Sequence, residues 1–66
     1  MRDLQTLRQK LKDARQEVRN LTVMAMRPDL TPEKAELVRN LERSARAVAK
    51  LRLKALRYAE GLQRQP

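Results

Sequence analysis

This 66-residue chain contains no cysteine, no histidine, no phenylalanine and no tryptophan, and it has one glycine, one serine and one tyrosine. Each absence removes a class of chemistry. Without Cys there is no disulfide and no thiolate metal site. Without His the commonest metal ligand and general base are gone. A single glycine, Gly61, excludes a glycine-rich phosphate loop. Ser44 has no His to activate it, so a small residue on an apolar seam describes it better than a nucleophile. Asp13 and Glu17 form an i,i+4 carboxylate pair, too few ligands for a hard cation. The chain is therefore expected to be no enzyme, with no catalytic residue, metal, cofactor or small-molecule substrate. With Tyr58 as the only aromatic, it also lacks the stacking platform of a single-strand binder.

No apolar run is long enough to cross a bilayer or to serve as a secretory signal. The N-terminus is Arg-rich like a mitochondrial presequence, but Asp3, Asp13 and Glu17 argue against one. The expected setting is cytoplasmic, or nucleoid- or virion-associated. A basic amphipathic helix also suits a membrane surface, but without aromatic anchors a membrane partner is not expected.

What is present is charge and leucine. Sixteen Lys and Arg against eight Asp and Glu give a net charge of +8. It is unevenly spread: residues 1–27 carry +4, residues 28–42 carry −2, and residues 43–66 carry +6. Leu4, Leu7, Leu11, Ala14, Val18, Leu21 and Ala25 step by threes and fours, a heptad seam that predicts a helix over 3–26. Pro28 biases Arg27 away from helical geometry. Thr31 is an N-cap candidate, with Pro32 behind it and Glu33 in the first turn, so 27–31 is expected to be a turn. A second helix is expected over 32–60, closed by a left-handed cap at Gly61, with 61–66 as a tail. Its seam is Leu37, Leu41, Ser44, Val48, Leu51, Ala55, Tyr58 and Leu62, flanked by Val38, Ala45, Leu56 and Ala59, with Leu53 outside the face.

Two long helices joined by a short turn make an all-α antiparallel helical hairpin over 1–66. So short a chain buries little surface by itself. Hairpins are therefore expected to pair into a four-helix bundle, or to dock on a larger assembly. The expected protein interface is Leu4, Leu7, Leu11, Val18, Leu21, Leu37, Leu41, Val48, Leu51 and Leu62. Seam residues as small as Ala and Ser predict close approach of the helices.

The sharpest signal lies between Arg43 and Ala59, which hold six basic residues and no acidic one. Arg39, Arg43, Arg46, Lys50, Lys54 and Arg57 share a face about 80° wide and roughly 27 Å long. A solvated face mixes signs, because opposite charges at i,i+4 support each other. Lys50 and Lys54 have no carboxylate within four residues. Arg8, Lys12, Arg15 and Arg19 form a similar line on the first helix. In an antiparallel hairpin both lines gather toward the open end. The expected partner is the phosphate backbone of duplex DNA or structured RNA, in a regulatory or architectural role, with those ten residues as the contact set. The alternative is a helical adaptor or subunit that grips a larger protein or ribonucleoprotein complex through its apolar seams. Arg52 stands on the flank of the apolar face, placed to snorkel, to meet Asp3, or to set the register of a bundle.

The outline resembles the repressor-of-primer family of plasmid copy-number regulators, short helical hairpins that pair into four-helix bundles and bind RNA. The resemblance is of architecture. Arg19-Asn20-Leu21 late in the first helix, together with the basic second helix, is also similar to the small hairpin proteins near the tunnel exit of the large ribosomal subunit. That family's glycine-bearing loop is missing here, and its arginine pair early in the second helix is matched only by Arg39 followed by Asn40. Neither resemblance transfers a functional residue.

Overall fold

The computed structural model describes residues 2–64, with side chains from residue 4 onward. Two helices account for nearly all of it: α1, Arg2–Ala25, and α2, Pro32–Arg64. They pack against each other as an antiparallel hairpin about 55 Å long and 15 by 12 Å across. No strand occurs among the described residues.

Local chemistry accounts for both inner helix ends. At the end of α1 the amides of Met26 and Arg27 bond to the carbonyls of Val23 and Met24 at 3.1 and 3.2 Å, tightening the last turn. Pro28 cannot continue the ladder. Asp29 lies 3.5 Å from the Arg27 guanidinium inside the turn. At the start of α2 the Thr31 hydroxyl accepts the Lys34 amide at 3.3 Å, and the Thr31 carbonyl accepts the Ala35 amide at 2.8 Å. Thr31 is thus the N-cap, with Pro32 at the first helical position, where its missing N–H costs nothing.

The far end of α2 differs from expectation. Gly61 has no positive φ and lies inside the helix, which runs on to Arg64. The physical reason is propensity: Leu62, Gln63 and Arg64 are all good helix formers, and together they outweigh one glycine. Arg64 also suits the negative end of the helix dipole. Gln65 and Pro66, the rest of the expected tail, lie outside the described residues. A Cβ added at Gly61 would meet nothing within 4 Å. Gly61→Ala therefore stabilises the chain by about 0.5–1 kcal/mol, raising the melting temperature by a few degrees in a circular dichroism melt.

The core is slight. Among the described residues only Leu11, Val38 and Leu56 are buried, at 6%, 6% and 8% exposure. The seam read on α1 is the seam used: Leu4, Leu7, Ala14, Val18, Leu21 and Ala25 are half-buried around Leu11. On α2 the structure uses a different stripe. Ala35, Val38, Glu42, Ala45, Ala49, Leu53, Leu56, Ala59 and Glu60 turn toward α1. Leu37, Leu41, Val48, Leu51, Tyr58 and Leu62 remain exposed. The α1-facing stripe is rich in alanine, which lets the helices approach closely. Two polar links fix the rotation: the Thr22 hydroxyl donates to the Glu42 carboxylate, and Arg8 lies 3.5 Å from Glu60.

Candidate nucleic-acid interface

At about 100° per residue, α2 divides into three stripes roughly 120° apart. One faces α1. The second is the exposed leucine stripe. The third holds Arg39, Arg43, Arg46, Lys50, Lys54 and Arg57, all exposed. On α1, Arg8, Lys12, Arg15 and Arg19 are also exposed, about 95° from the seam.

In an antiparallel pair, equal rotations away from the seam bring residues of both helices to the same side. The contacts along the helix junction agree, two of them between the helices and one within α2. Arg8 and Arg46 both reach carboxylates of α2, Glu60 at 3.5 Å and Glu42 at 3.1 Å, and Thr22 meets the same Glu42. Arg8, Lys12, Arg15 and Arg19 line one shallow groove with Leu11 and Leu56 as its floor. The two basic lines therefore share one broad face of the hairpin, with Glu42 and Glu60 between them along the helix junction. The opposite face is different in kind. There Ala14, Leu21, Leu41, Ser44, Ala45 and Val48 form an apolar groove, rimmed by Lys10, Asp13, Glu17 and Arg52. Charge and grease are thus segregated.

All ten basic positions read from the sequence lie on this one face. Two of them are partly occupied: Arg8 by Glu60 and Arg46 by Glu42. Both arginines are more than half exposed, so these are surface pairs of small worth, free to exchange for another anion. Lys50 and Lys54 have no carboxylate within four residues, Arg57 has Glu60 three residues on, and the three stand together with Ala47, Leu51 and Leu53. Glu42 was not singled out in the sequence. Its i,i+4 spacing to Arg46 was a usable signal, whereas its meeting with Thr22 depends on the helix register. Leu53, read as lying outside the apolar face, is half-buried beside α1. Arg52 lines the apolar groove, and the side chain of Asp3, its suggested partner, lies outside the described residues.

Among the described residues no group of three or more Asp or Glu could hold a metal ion, and no helix is long and apolar enough to cross a membrane. Amides are available near the basic face but spent locally: Gln16 donates to Asn20 at 3.0 Å. No protein-family model, no curated protein and no solved structure matches the chain, so its chemistry is read from these residues alone.

Proposed function

We propose that this chain binds the phosphate backbone of a nucleic acid duplex or a folded RNA through its basic face, in a regulatory or architectural role. The observation that carries this is the gathering of ten exposed cations from two helices onto one side of a thin rod, with Glu42 and Glu60 between them and Glu36 at one end. A straight stripe roughly 27 Å long spans several successive phosphates of a duplex. The side chains are long and the surface is convex, which favours backbone contact over insertion of bases. The lone aromatic, Tyr58, is 72% exposed on the leucine stripe, away from the basic face, and supplies no stacking there.

Salt tests the reading. Each phosphate neutralised releases counterion, so the logarithm of affinity falls by about 0.9 per contact for each decade of salt on B-DNA. With six to eight contacts, a titration of the wild-type chain into a random duplex shows a slope near −5 to −7 between 50 and 200 mM salt. A slope near zero, or no binding at 50 mM, rejects it. The adaptor reading is favoured by a separate observation, the exposed leucine stripe on α2. An apolar contact of that kind is insensitive to salt, which separates the two.

A further inference from the structure

The unused stripe of α2 is long, regular and self-complementary. Six large apolar side chains on it, Leu37, Leu41, Val48, Leu51, Tyr58 and Leu62, are 44% to 72% exposed. Their heptad spacing is completed by Ser44 and Ala55, and the whole runs about 37 Å. Its order of sizes reads the same from both ends: large, large, small, large, large, small, large, large. We propose that this stripe is covered by the same stripe of a second copy, running antiparallel about a twofold axis that passes between Ala49 and Lys50.

That register sets Leu37 against the partner's Leu62, Leu41 against the partner's Tyr58, and Val48 against the partner's Leu51. The small residues fall together, Ser44 against the partner's Ala55, so helix spacing is relaxed or tightened at matching points on either side of the axis. Such a match is what an isologous contact requires, because the same surface serves both chains. The flanks fit as well. Arg52 and Lys54 border the stripe, and in this register they lie opposite the partner's Ala45 and the partner's Ala47, so no like charges meet.

Charge at the ends of the stripe favours this direction. Antiparallel pairing lays residues 33–42, with −1, beside residues 57–66 of the other α2, with +1, while the basic middle, residues 43–56, meets itself in either direction. Parallel pairing sets each end segment against its own like charge. The buried area is adequate. The six side chains expose on the order of 600 Å² per chain, and with their flanks they approach the roughly 800 Å² per partner of a standard interface. On α2 the leucine and basic stripes point about 140° apart, so the pairing leaves the basic face clear and stands whether or not nucleic acid is bound.

The natural absence of cysteine makes the test clean, since an introduced thiol is the only one in the chain. Leu37→Cys and Leu62→Cys variants are prepared separately, mixed, and oxidised mildly without nucleic acid. The mixture gives a Leu37→Cys to Leu62→Cys disulfide as the dominant product, while neither variant alone cross-links efficiently. Efficient cross-linking of Leu37→Cys with itself means a parallel pair and overturns the proposal. By sedimentation, the wild type at about 100 µM has twice the 7.7 kDa chain mass. Leu51→Glu weakens association by about 100-fold or more and keeps its helicity, since a charge buried at the contact is unpaired while the hairpin seam is untouched. A wild type that sediments as a monomer at this concentration, or Leu51→Glu that still pairs, overturns the proposal and leaves the stripe to a different protein.

Discussion

Leu11→Asp leaves the chain largely unfolded at 25 °C. Leu11 is one of three buried apolar side chains among the described residues and lies at the same level of the hairpin as Leu56. Replacing it removes a large apolar contact, worth about 2–5 kcal/mol in cores generally, and puts an unpaired carboxylate in its place. A core this small supplies only about 3–5 kcal/mol in total. The loss therefore consumes the whole margin, and the helical circular dichroism signal falls by more than half. Leu41→Asp is the matched control. Leu41 is 48% exposed on the other stripe of α2, so its carboxylate stays hydrated in the lone hairpin. That variant remains helical and loses only the part of its stability that depends on concentration. Equal loss of helicity in the two variants at low concentration would mean that the α1–α2 seam is not where the core lies.

The second large effect concerns binding. Changing Lys50, Lys54 and Arg57 together to Ala flattens the salt slope on a duplex by about 2–3 units if all three touch phosphate. At about 0.1 M salt, the counterion term then lowers affinity by two to three orders of magnitude. Folding is spared. The three side chains are exposed, and their removal relieves repulsion along a stretch whose one carboxylate, Glu60, lies beyond Arg57. Alanine also has the higher helix propensity, so the melting temperature stays level or rises. Glu33→Gln, near the turn and off the basic face, changes affinity little and serves as the control. Equal affinities and slopes for the wild type and the triple variant would remove the stripe as a phosphate site.

How much of this was legible in the sequence differs from element to element, for physical reasons. The start of α2 was fully written, because Thr31, Pro32 and Glu33 act through bonds within one turn. The heptad of α1 was equally plain, since that helix has a single apolar stripe. On α2 two apolar stripes compete, and periodicity favoured the one with more leucine. The structure closes on the alanine-rich one, set by Thr22 with Glu42 and by Arg8 with Glu60. Those pairs span 20 and 52 positions of chain and cannot be found by local spacing. The basic residues were legible as two separate lines. Their convergence on one face follows only once the rotation of each helix about its own axis is known. Gly61 misled because a glycine near a helix end is an ambiguous mark, a stop where chain direction must change and otherwise just a weak helical residue.

The Arg8–Glu60 contact has a consequence for how the rod breathes. Glu60 is the sole acid of residues 43–66, and the structure places it across from α1 near the end where the two helices are not covalently joined. The loop holds one end of the hairpin shut. Toward the other end, residues 2–19 carry +3 and residues 43–64 carry +6, so the two helices of the open half repel each other and the Arg8–Glu60 contact opposes that repulsion. Opening therefore starts at the tips, and amide hydrogen exchange grows faster from the turn toward residues 2–8 and 58–64. Simple salt slows that exchange by screening the open half, even as it weakens the proposed contact with phosphate. A polyanion lying along the basic face does both jobs at once, closing the tips by being held.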